Sequence, residues 1–138
     1  MLLRRFLLWS VITACISSVV IACEEKAVYP QRTMPAGLLQ DNAQLIAGEQ
    51  LFLEKCASCH GKPSEGRSAR ADFFEPAAAD FHEARFRQVE PAYLYWRIEV
   101  GKTVEPYLSQ GSVMPAWGEH LTERQIWQLV AYIKTRSD

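Results

Sequence analysis

The sequence predicts an all-α domain, and three observations carry that reading. No segment alternates apolar and polar residues with period two over the length of a strand. Three stretches, near residues 43–55, 91–100 and 122–136, show helical spacing between start and stop residues. In the last of them Ile126, Leu129, Val130 and Ile133 fall at i, i+3, i+4 and i+7, a single buried stripe.

The 138 residues are 49% hydrophobic and 22% charged, which excludes a disordered chain and fits one folded domain. The formal net charge is -1 and the longest run of like charge is Glu24-Glu25, so nucleic acid is excluded as a partner.

Taken in order, Arg4-Arg5 precede an apolar stretch from Phe6 to Ala22, broken only by Ser10, Thr13, Ser17 and Ser18. This reads as an export signal over residues 1–22, of Sec type because the residues around the arginine pair fit the twin-arginine motif poorly. A retained span is the other reading, since about 20 apolar residues can cross a bilayer. Val20-Ile21-Ala22-Cys23 resembles the bacterial lipoprotein box and predicts cleavage before a lipidated Cys23. Ile12-Thr13-Ala14-Cys15 matches the same pattern but leaves too short an apolar core after Arg5. With two of its four cysteines in or beside the signal, the chain has only Cys56 and Cys59 in its body, which excludes a disulfide scaffold.

Residues 23–42 carry Pro30, Pro35 and Gly37 without sustained periodicity and read as a lipid-anchored tether to a domain over residues 43–138. Asp41 or Asn42 can cap a first helix through Leu45, Gly48, Leu51, Phe52 and Lys55, with Leu45, Gly48 and Phe52 on one face. Residues 61–90 are broken by Gly61, Pro63, Gly66 and Pro76 and predict irregular chain. Pro91 suits the first turn of a second helix through Tyr93, Leu94, Tyr95, Trp96 and Ile98, ending near Gly101. Thr122 with Gln125 forms a capping box for the last helix, Leu121 with Ile126 a hydrophobic staple, and Trp127 and Tyr132 widen its stripe.

Cys56-Ala57-Ser58-Cys59-His60 is CxxCH, the c-type haem attachment signature. Two cysteines three apart on one helical turn point to the same side, where their sulfurs can add to two vinyl groups, and His60 is then held next to the iron. A thioredoxin-like pair would follow a strand in an α/β pattern, and a zinc site needs a second Cys/His cluster. Neither accompanies this motif, so the cofactor expected is one covalent haem c.

Four segments in order then carry a family resemblance: Gly48-Glu49-Gln50-Leu51-Phe52, Cys56-Ala57-Ser58-Cys59-His60-Gly61, Met114-Pro115-Ala116-Trp117 and Leu129-Val130-Ala131-Tyr132-Ile133. Residues 43–136 resemble a bacterial class I cytochrome c. The resemblance implies three to five helices wrapped around one covalently bound haem, which replaces much of the side-chain core and accounts for the irregular middle. It implies Met114 as the second axial ligand opposite His60, in preference to His82, His120 or Met34. It also implies that the first and last helices cross at Gly48 and Tyr132, with Phe52 against Leu129. Trp96, Arg97, Tyr107 and Trp117 are candidates to donate to the haem propionates, through indole NH, guanidinium or phenol OH.

One departure leaves a position open. The family commonly has a Gly-Pro pair after CxxCHG whose proline carbonyl accepts from the proximal histidine, where this chain has Ser68-Ala69-Arg70, although Pro76-Ala77-Ala78-Ala79-Asp80-Phe81 resembles the stretch that follows. The function expected is transfer of single electrons between redox partner proteins, facing the periplasm from an inner or outer membrane, with no small-molecule substrate at iron. The alternatives are a haem peroxidase or a gas-binding sensor with a displaceable Met114.

Overall fold

Five helices and no strand make up residues 27–137, the part of the chain that the computed structural model describes. The expected signal and Cys23 lie outside the described residues. Helix α1 (Asn42–Lys55) is capped by Asp41, whose carboxylate accepts from the Ala43 and Gln44 amides and so satisfies two of the free donors at the helix start. One residue later α2 (Ala57–His60) continues the chain with a change of direction at Cys56. Pro91 opens α4 (Pro91–Val100), where its missing amide costs nothing. The capping box of α5 (Glu123–Arg136) is complete: Thr122 Oγ1 accepts from the Gln125 amide at 3.3 Å, and Gln125 Oε1 accepts from the Thr122 amide at 2.9 Å.

Residues 61–90 are irregular, as expected, apart from a 3-10 turn at Ala69–Ala71 and the helix α3 (Arg85–Gln88). Each is about one turn long, too short to display a period in the sequence.

Helices α1 and α5 cross at Gly48. A Cβ there would stand 2.2 Å from the Gln128 carbonyl oxygen and 3.0 Å from the Tyr132 Cβ. Beside the crossing, the wholly buried Phe52 lies 5.3 Å from the Tyr132 ring, and Ile126, Leu129 and Val130 are fully buried. In an open helix Gly→Ala stabilises by roughly 1 kcal/mol. Here the obstacle is backbone, which cannot rotate aside, so Gly48→Ala is expected to lose about 1–3 kcal/mol through overpacking. Denaturant unfolding of the haem protein measures this, and a stabilised variant would contradict the close crossing.

Helix α4 lies on α5 through Tyr95 and Trp127, rings 4.6 Å apart. Its C-terminal carbonyls, unpaired within the helix, hold the loop that carries Met114: the Trp117 amide donates to Ile98 O at 3.1 Å and the Gly118 amide to Glu99 O at 2.9 Å. The Lys102 amide donates back to Met114 O at 2.9 Å. Gly101 permits both features. Its φ of 65° ends the helix, and a Cβ there would come within 2.6 Å of Met114 O and the Ala116 amide nitrogen.

The described part of the expected tether lies against the domain. Leu38 joins the hydrophobic core, and Tyr29 and Arg32 engage side chains of α4.

Candidate functional site

The helical geometry of α1 and α2 places Cys56, Cys59 and His60 on the wall of one cavity, and Met114, Pro115 and Trp117 line the same cavity from the loop beyond α4. The Cys56 amide closes on Phe52 O, and the Cys59 and His60 amides both close on Cys56 O, so the three side chains leave one tight turn together. Both thiols are free and half-buried. Burial first, and then the neighbouring Cys59, push the Cys56 thiol up to about 12, so it is protonated at neutral pH.

His60 is held on two sides. Its Nδ1 lies 2.9 Å from the Ala79 carbonyl oxygen, and the Phe81 ring stacks on it at 4.6 Å. Burial draws its pKa below the usual histidine range, so the ring is neutral. With the proton on Nδ1 donated to Ala79, the lone pair of Nε2 remains for a metal. The acceptor left open by the sequence is thus the backbone of Ala79, within the stretch that resembles the family.

The other two histidines lie outside the cavity lining. His82 Nε2 sits 2.9 Å from Pro63 O and its Nδ1 3.4 Å from Asp80 Oδ1, while His120 is exposed, edge-on to Trp117. Met34 packs against the hydrophobic core.

Of the four candidates for propionate contact, Arg97 and Trp117 line the cavity, whereas Trp96 and Tyr107 do not. Those two rings instead flank Arg97, whose guanidinium carbon lies 4.3 Å from the Trp96 centroid and 4.7 Å from that of Tyr107. Arg97 is 6% exposed, donates to Gly101 O at 2.8 Å, and its Nε is buried without a partner. Lys55, Arg85 and Lys102 also line the cavity, and among the described residues no carboxylate does. Burial, and then Arg97, lower the Lys102 pKa.

Of the cations, Lys55 and Arg85 pair with Glu54 and Glu83, while Arg97 and Lys102 have no carboxylate partner among the described residues. Apolar walls, two thiols, a neutral imidazole, a thioether and this set of cations suit a planar, apolar macrocycle bearing anionic groups. The donor set therefore fits a haem, which Cys56 and Cys59 would bond and His60 and Met114 would ligate, with Arg97 offering a cation for a carboxylate.

Residues 43–133 match the family described as cytochrome C oxidase, cbb3-type, subunit III. The chain belongs to that family and is a class I cytochrome c. No curated protein matches it. The family implies a covalently bound haem c in this cytochrome.

Arg136 is a contributor that sequence reasoning missed. From the last turn of α5 its guanidinium donates to the carbonyls of Gly61, Lys62 and Glu65, and it lies 4.6 Å from the Phe52 ring centroid. It thereby fastens the chain that leaves the cofactor motif. A signal was present, because residue 136 continues the stripe of Leu129 and Ile133, so a charge there falls on the buried face. Hydrogen bonds to a charged group contribute about 1.5–3 kcal/mol each, so Arg136→Ala is expected to destabilise the cytochrome by at least that much. Thermal unfolding measures it, and Arg136→Lys, lacking the planar fork, should recover only part.

Proposed function

We propose that this cytochrome carries single electrons between respiratory proteins on the periplasmic side of a membrane, using one haem c. The observation that supports this best is that His60 and Met114 line one cavity, so the chain itself would supply two ligands to the iron of a haem held there. When bound, the haem supplies a one-electron couple at iron. Cys56 and Cys59 hold it through thioethers, and Ala79 O fixes the ring and tautomer of His60. Met114 is kept in place by the pairing of its loop with Ile98, Glu99 and Lys102, and its soft thioether favours the reduced state. Arg97 and Trp117 line the same cavity, where the guanidinium would neutralise a propionate and the indole NH could donate to it.

With His60 and Met114 both bound to iron no position would be left for a substrate, and transfer would be outer-sphere, through a small and transient contact with each partner. The description of the matching family supports a respiratory complex as one such partner. We further propose that Cys23 is lipidated after cleavage at residue 22 and anchors the domain, since several acyl chains together hold where one does not. No helix among the described residues is long and apolar enough to cross a membrane. Mass spectrometry of the mature N-terminus tests the anchor: an unmodified residue there, or an intact Met1, overturns it.

The function is tested on the purified haem protein. Inertness to carbon monoxide when reduced and to peroxide when oxidised, with rapid electron exchange, is expected of a carrier. Fast carbon monoxide binding would identify a sensor, and peroxide turnover an enzyme.

A further inference from the structure

The segment before α1 reaches the aromatic residues that surround Arg97. The Arg97 guanidinium carbon lies 4.3 Å from the Trp96 ring centroid, 4.7 Å from that of Tyr107 and 5.5 Å from that of Tyr93. Tyr29 packs on two of these three rings, stacked on Trp96 at 5.7 Å and edge-on to Tyr93 at 5.4 Å, while its hydroxyl donates to the Glu90 carboxylate. Three residues on, Arg32 grips the other end of α4: it donates to both Glu99 carboxylate oxygens at 2.9 and 3.2 Å and lies 4.6 Å over the Tyr95 ring.

We propose that residues 27–41 form a strap in which Tyr29 is a positioning residue, holding the rings that fix Arg97 at the cofactor cavity. The proposal rests on the reading above, in which Arg97 faces a haem carboxylate. Arg97 needs such support because its guanidinium donates only to neutral groups, Gly101 O at 2.8 Å and the Tyr107 hydroxyl at 3.4 Å, and pairs with no carboxylate among the described residues. A buried cation without a counter-ion tends to turn toward water. Cation–π contacts with three rings hold it without neutralising it, which leaves its charge directed at the cavity. Those rings stay in register only while something covers them, and Tyr29 covers two. A cation held buried at the cofactor cavity would favour the reduced state of a haem bound there, which carries one less positive charge. Once the cage is loosened, water reaches the guanidinium and screens that charge, so the potential falls.

The test is the midpoint potential of full-length haem protein in a double-mutant cycle. Tyr29→Ala is expected to raise the oxidised-to-reduced ratio at a fixed applied potential by threefold to tenfold, the tenfold limit being about 59 mV for a one-electron couple. Tyr29→Phe, which keeps the ring and loses only the hydroxyl, should stay at the parent value. In an Arg97→Met background, Tyr29→Ala should have no further effect, because the charge it positions is gone. Should Tyr29→Ala yield no coloured protein, Tyr29→Leu keeps the apolar volume without the ring and carries the same comparison. An unchanged potential in Tyr29→Ala or Tyr29→Leu, an equal shift with and without Arg97, or an unchanged potential in Arg97→Met overturns the proposal. These outcomes leave the electron-carrier reading intact, whereas a parent protein without covalent haem overturns that reading itself.

Discussion

Met114→Ala is expected to lose the weak charge-transfer band at the red end of the oxidised spectrum, which arises from thioether-to-iron bonding. Its reduction potential should fall by a sizeable part of the roughly 0.8 V range over which axial ligands set haem potentials. Water or an adventitious nitrogen would replace a soft sulfur, and the oxidised state gains most from that exchange. The reduced variant should also bind carbon monoxide readily, while the parent resists. That resistance follows from the way the loop is held: the Trp117 and Gly118 amides pair with the end of α4, and Gly101 lets the Met114–Ala116 backbone sit directly on it. Displacing a Met114 bound to iron would therefore mean breaking backbone hydrogen bonds as well as the proposed coordinate bond. If Met114→Ala keeps the parent spectrum while His82→Ala or His120→Ala changes it, the iron has two imidazole ligands and the high-potential reading is wrong. The structure makes the outcome sharp, because His82 is occupied by Pro63 O and Asp80 and His120 lies outside the cavity lining.

The second large effect is the loss of Cys56 and Cys59 together. The parent should keep its colour through acid-acetone extraction of denatured protein and give a c-type pyridine haemochrome. The Ser/Ser variant should yield colourless protein that is largely unfolded by circular dichroism. The reason is the make-up of the interior. Phe52, Phe81, Phe86, Leu94 and Ile98 belong to the hydrophobic core and also line the cofactor cavity, so without the macrocycle one side of the core faces a void. A ligand that binds only the folded state also contributes its binding free energy to stability, and thioethers at Cys56 and Cys59 would retain that ligand by two covalent bonds. A Ser/Ser variant whose haem survives extraction would sink the assignment of both thioethers.

Gly48 and Arg136 show two different limits of reading a sequence. Gly48 could be placed at a helix crossing because the resemblance supplied the partner helix, and the structure adds that the obstacle is the Gln128 carbonyl as well as Tyr132. Arg136 carried a positional signal, its place on the buried stripe, but nothing in the sequence names the three carbonyls it holds.

What the sequence determined by itself is local or motif-borne: the caps at Asp41, Pro91 and Thr122, the stripe of α5, the irregular chain after Gly61, and the cofactor implied by Cys56, Cys59 and His60. Each depends on residues within about two helical turns of one another, whose spacing alone sets which side chains share a face. Tertiary structure decided the rest. The acceptor for His60 is a main-chain carbonyl 19 residues away, and a carbonyl is present at every residue, so Ala79 has no side-chain signature. The separation of Arg97 and Trp117 at the cavity from Trp96 and Tyr107 behind Arg97 depends on how α4 and its following loop are turned. The strap is the clearest case. Pro30, Pro35 and Gly37 deprive residues 27–41 of any period, yet Tyr29 and Arg32 are held by α4 residues more than 60 positions along the chain, and contacts at that separation are specified by the folded surface that receives them.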